Sequence, residues 1–113
     1  MRTVLDLSAQ ERAALEDIQR RVGEAFPAVR ARYTLFGSRA RGDADPESDA
    51  DLLVELDVER LTFTDKRIIR RLAGEVSLAH GLVLSVFVVD RSTARERGDF
   101  SIFANIKEEG IPL

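Results

Sequence analysis

The stretch Leu35-Phe-Gly-Ser-Arg-Ala-Arg-Gly-Asp-Ala-Asp-Pro-Glu-Ser-Asp-Ala-Asp-Leu-Leu-Val-Glu-Leu56 decides how this chain is read. It begins in an apolar segment, Ala31 to Phe36, whose pattern predicts a strand with Tyr33 and Leu35 on one face. Gly37 ends that strand, and a short helix is expected from Ser38. An acidic loop follows. Asp49-Ala50-Asp51 then leads into a second apolar strand, Ala50 to Asp57. Side chains alternate along a strand, so Asp49, Asp51, Leu53 and Glu55 share one face and Leu52, Val54 and Leu56 the other.

Two carboxylates at i and i+2 on a strand can reach one hard cation. A turn with free backbone N–H groups and a hydroxyl can hold phosphate, and a helix starting at Ser38 would turn its positive end the same way. A phosphate cradle beside magnesium ligands points to chemistry on a nucleotide. In this reading Asp49 and Asp51 bind Mg2+ and are the catalytic pair. Gly37 leaves room for phosphates to approach the backbone, and Ser38 offers its hydroxyl or N–H to the terminal phosphates. Arg39 and Arg41 are expected to contact triphosphate oxygens or the acidic groups of a partner. Glu55 shares the face of the acidic pair but lies about 13 Å beyond Asp51 at roughly 3.3 Å per residue, too far to join it. Tyr33 and Phe36 are read as core. His80, at a helix end before Gly81, meets the helix dipole rather than a substrate.

Working outward, Ser8-Ala-Gln-Glu11 is a capping-box pattern. Ala14, Leu15, Ile18, Val22 and Ala25 follow at helical spacing, and Pro27 stops the helix. Thr62 to His80 predicts a second long helix, capped by Thr64 or Asp65, with Ile68, Ile69, Leu72, Ala73, Val76 and Ala79 as its buried stripe. Leu82 to Val89 is a nearly unbroken apolar run and reads as a central strand. Ser101 to Glu109 forms a last short helix, ended by Gly110. Helix, strand, turn, strand, helix, strand, helix describes an α/β or α+β domain with a small mixed sheet flanked by helices, and residues 1–113 are expected to form a single domain.

The bulk numbers narrow the classes. A net charge of −3 argues against a general nucleic-acid binder, which would carry a basic patch and a high pI. The chain has no cysteine, which removes disulfide frameworks and thiolate metal sites. No stretch approaches the roughly 20 apolar residues of a membrane span, and the start lacks the apolar core of a signal peptide. A cytoplasmic protein is the expectation.

Gly37-Ser38, ten residues, then Asp49-Ala50-Asp51 resembles the Gly-Ser-x10-Asp-x-Asp signature of the DNA polymerase β-like nucleotidyltransferases. The fuller string from Gly37 to Val54, and the ending from Phe103 to Leu113, are similar to the minimal nucleotidyltransferases of that superfamily. The resemblance implies a nucleotidyltransferase core, a short twisted sheet flanked by helices. It also implies ATP as substrate, Mg2+ as cofactor and a HEPN-domain protein as partner. The expected reaction is AMP transfer to a tyrosine hydroxyl of that partner, with this chain as the antitoxin of a toxin–antitoxin pair. Many members of the superfamily carry a third carboxylate on the strand after the second long helix, and Ser85 stands at the matching position here. Asp90 falls on the opposite face by strand alternation. This departure keeps a second reading open, an antitoxin of the same fold that neutralises its partner by binding, with little or no turnover.

Overall fold

The computed structural model describes residues 2–97 and 101–113. After a single 3-10 turn at Val4–Asp6, the first helix, α1, runs over Ala9–Ala25. Its start is the predicted capping box. The Glu11 N–H donates to Ser8 Oγ at 3.0 Å, and the Ser8 N–H donates to Glu11 Oε1 at 2.8 Å. The first strand, β1, spans Ala31–Phe36, and one helical turn, α2, covers Ser38–Arg41. The second strand, β2, is Ala50–Leu56, and the long helix α3 is Phe63–His80. The capping residue of α3 is Thr62, with Asp65 completing the box, rather than Thr64. The third strand, β3, is Leu84–Val89. It leads into α4 (Arg91–Arg97), α5 (Ser101–Glu109) and a two-residue strand β4 (Ile111–Pro112).

The sheet has the order β3-β2-β1-β4. Strands β1 and β2 pair antiparallel, with Phe36 opposite Asp51 and Tyr33 opposite Val54, while β2 and β3 run parallel. The result is the mixed sheet flanked by helices that the pattern implies. One face carries Tyr33, Leu35, Leu52, Val54 and Leu56, and the inner stripes of α1 and α3 pack on it as the main core. The stripe of α3 is narrower than expected: Ile69, Ala73 and Val76 are buried, Ile68 and Leu72 half-buried, and Ala79 exposed. The other face carries Leu53, Val89 and Phe36 against Ile106 and Phe103 of α5. Alternation along β2 puts Asp51 on this second face, away from α3.

Strand β3 is a sheet edge, which corrects the expectation of a central strand. An apolar run signals burial but cannot say how many neighbours a strand has. Here the strand after Gly81 has β2 on one side only, and Val83 and Phe87 are 56% and 54% exposed.

Candidate active site at the Gly37 turn

Gly37 adopts φ 75°, a conformation that L side chains rarely take, and so turns the chain from β1 directly into α2. Within this turn the Ala40 and Arg41 N–H groups donate to Gly37 O, and those of Gly42 and Asp43 to Ser38 O. The Ser38 and Arg39 N–H groups at its head lie outside this ladder, as helix starts require. The carboxylate of Asp51 lies over the Gly37 backbone. A Cβ added at Gly37 would stand 2.3 Å from Asp51 Oδ2. The space that the sequence reserves for phosphate is thus shared with one of the expected metal ligands, and turn and carboxylate form one unit.

Asp51 is half-buried and Asp49 is exposed. Burial raises the pKa of Asp51 first, the charge of Asp49 raises it further, and Arg41 opposes both. Asp49, Asp51 and Arg41 therefore converge electrostatically. Arg41 is exposed. Its Nε donates to Asp43 Oδ2 at 3.3 Å, and it lines a cleft of about 190 Å³ with Phe36, Gly37, Asn105, Ile106 and Glu109. Sequence reasoning gave Asn105 and Glu109 no part in the site, because only the return of α5 across the sheet brings them there.

Arg39 has a different place from the one expected of a phosphate ligand. It is 7% exposed, and its guanidinium points into the protein. It donates to Ser48 O at 2.8 Å, to Glu11 Oε2 at 3.0 Å and to Pro46 O at 3.3 Å. These bonds tie the Gly37 turn to the start of α1 and to the loop that delivers Asp49. Glu11, 4% exposed, is the residue that the sequence does not reveal in this role. Burial alone would raise its pKa, but the Ser8 N–H and the Arg39 guanidinium outweigh it and hold the carboxyl below its ordinary value.

Ser85 is the register partner of Asp51 across the β2–β3 pair, so a neutral hydroxyl stands beside the acidic residue. Asp90 is buried elsewhere. Burial opposes its ionisation, but donation from the Leu61 and Thr93 N–H groups, at 2.8 and 2.7 Å, brings its pKa down to about 2. It supports the start of α4 rather than the acidic pair. The His80 ring faces Asp17 at 2.9 Å, and Tyr33 is core. Among the described residues no group of three or more His, Cys, Asp or Glu side chains converges on one metal position.

With this geometry in view, the comparisons with known proteins are specific. The sequence profile of a nucleotidyltransferase domain family matches residues 15–108. A proposed protein adenylyltransferase of Methanocaldococcus jannaschii, MJ0604, is 29% identical over 102 residues, covering 84% of this chain and 96% of that protein. A second from the same organism, MJ0141, is 39% identical over 61 residues, covering 54% of this chain and 61% of its own length. The crystal structure of a proposed nucleotidyltransferase from Sulfolobus solfataricus superimposes with a TM-score of 0.56 at 25% identity, covering 78% of this chain and 75% of that one.

Proposed function

The chain belongs to the nucleotidyltransferase domain family, and from that premise we propose that it transfers AMP from ATP to a tyrosine hydroxyl of a HEPN-type partner protein in the cytoplasm, as the antitoxin of that pair. The observation that carries this reading is the Asp51 carboxylate held over the Gly37 turn with the Asp49 charge beside it. Like charges kept close and partly desolvated are costly without a cation between them. The donor set, an exposed and a half-buried carboxylate, is of the hard-oxygen kind that would suit Mg2+.

Asp49 and Asp51 would hold the metal. When bound, Mg2+ neutralises charge that develops on the triphosphate. The rest falls to the chain. The N–H groups of Ser38 and Arg39, the Ser38 hydroxyl and the Arg41 guanidinium bind and orient the terminal phosphates. Arg39 and Glu11 hold the turn and the Asp49 loop in one geometry. The acceptor oxygen forms a bond to the α-phosphorus, the bond to the β-phosphate oxygen breaks, pyrophosphate leaves, and the acceptor proton passes to solvent.

Ser85 beside Asp51 favours a second reading, neutralisation of the partner by binding alone, because serine supplies neither a base nor a strong Mg2+ ligand. One measurement separates the two: the intact mass of a HEPN-type candidate partner, after co-expression with this chain and purification. Transfer predicts a partner heavier by whole AMP units, returning to its plain mass when Asp49→Asn and Asp51→Asn are combined. A stable complex with an unmodified partner would refute transfer and leave the binding reading.

A further inference from the structure

Gly74 sits in the middle of α3, and nothing in the fold calls for it. A Cβ added there would meet no atom within 4 Å. Glycine inside a helix costs about 1 kcal/mol relative to alanine. At 100° per residue, Phe63, Arg67, Arg71, Gly74 and Leu78 fall within an arc of about 80° that faces away from the core. Phe63 is 73% exposed and Leu78 is 89% exposed. They stand about 22 Å apart along the helix, one near each end of the solvent-facing stripe. Between them the surface is basic. Arg67 lies over the Phe63 ring at 6.0 Å, and Arg71 reaches Glu75 at 3.8 Å. Arg67, Arg70 and Arg71 also line a shallow cleft of about 460 Å³.

Charge selects the occupant. The chain carries a net charge of −3, so this stripe is a local positive island. A second copy docked along it would bring Arg70 and Arg71 against their own images, and like charges across an interface cost affinity. An acidic helix removes that cost, and Gly74, one turn before Leu78, lets its backbone come close. We propose that the outer face of α3 is a docking surface for an acidic amphipathic helix of another protein. Apolar side chains of that helix seat on Phe63 and Leu78, and its carboxylates face Arg67, Arg70 and Arg71. The surface lies on the side of the sheet opposite Asp51, so a partner held there leaves the Gly37 turn open. The inference is independent of the transfer chemistry.

The test uses the full chain and a synthetic helix of about 20 residues. The peptide carries leucines spaced to meet Phe63 and Leu78, alanine opposite Gly74, and glutamates between them. Calorimetric titration at low ionic strength should give saturable binding, weakened about tenfold or more both by Gly74→Leu and by Arg67→Glu combined with Arg71→Glu. A peptide with lysines in place of the glutamates should not bind. Gly74→Leu adds a better helix former on an open face, so folding is not at risk. Absence of binding, or binding indifferent to both variants, would overturn the proposal. So would sedimentation showing the chain alone dimerising in a manner that Gly74→Leu abolishes, or a short RNA duplex competing for the same arginines.

Discussion

Arg39 and Arg41 are two residues apart in one helical turn and belong to different worlds. Arg39 is turned inward, paired with Glu11 and hydrogen-bonded to two loop carbonyls. Arg41 is exposed on the cleft beside Gly37 and opposes the charge of the acidic pair. The underside of the turn is a satisfied polar network, whereas its rim holds Asp51, whose pKa is raised by burial and by the charge of Asp49. The contrast separates holding from acting. The underside lowers the energy of one loop geometry, and the rim stores electrostatic cost that a bound cation and triphosphate can relieve.

The largest effect should come from breaking the underside. Glu11→Gln keeps a capping-box side chain, since glutamine serves at that position, but leaves the Arg39 charge buried without its counter-ion. Loss of one partner of a buried pair costs about 3–5 kcal/mol. Urea unfolding should show a drop near the lower end of that range, because Arg39 retains the Ser48 and Pro46 carbonyls. A loss below about 1 kcal/mol would mean that the strut is dispensable and that Arg39 is free to serve the rim.

Next comes the joint between the two regions. Gly37→Ala forces a side chain into a region of positive φ and extended ψ that is essentially confined to glycine, costing about 1–3 kcal/mol, and puts a methyl where Asp51 Oδ2 now lies. The expected outcome is a modest stability loss with a larger loss of Mg2+-dependent ATP binding, since the carboxylate must move. Gly42→Ala, at the other end of α2, shares the positive φ but would meet the flexible Arg2 side chain instead. Its left-handed conformation should cost about 1–2 kcal/mol, no more than Gly37→Ala, and spare ATP binding. Equal loss of binding in both variants would show that turn strain, rather than the Asp51 contact, sets the site.

The rim was legible in the sequence and the underside was not. Gly37, Ser38, Asp49 and Asp51 are close in the chain and flanked by strands with clear alternation, so their geometry follows from local rules. The Ser8–Glu11 capping box was equally visible because it spans one turn, whereas the cap of α3 was expected at Thr64 or Asp65 and lies at Thr62. Arg39 looked like a phosphate ligand because an arginine after Gly-Ser carries no local sign of its burial, and its partner Glu11 lies far upstream. The edge position of β3 was hidden because an apolar run does not report its neighbours. Helix α4 was missed for a related reason. Arg91–Arg97 has Ala94 alone among polar residues and so no apolar period, and its start is fixed by the Asp90 carboxylate, which accepts from the Thr93 N–H. The β1–β4 pair rests on two residues, Ile111 and Pro112, below the length at which a strand pattern exists.

The smallest effect is the most discriminating, because the two regions should respond to pH with opposite sign. Glu11 has a lowered pKa in the folded protein. Its contribution to stability is therefore complete above its unfolded pKa and is lost as pH falls through the folded one. Asp51 has a raised pKa. It destabilises the folded state at neutral pH, and that cost fades as pH falls through its raised folded value toward its unfolded one. Metal-free Asp51→Asn should thus be more stable than the parent at neutral pH, with the gap closing in acid. Glu11→Gln should be less stable at neutral pH, with its gap closing at lower pH than that of Asp51→Asn. Added Mg2+ should stabilise the parent at neutral pH and leave Asp51→Asn nearly unmoved. Denaturant midpoints for the three proteins from neutral to acidic pH, with and without Mg2+, decide it. Gaps of the same sign for both variants would mean that the acidic pair is no more strained than the strut beneath it.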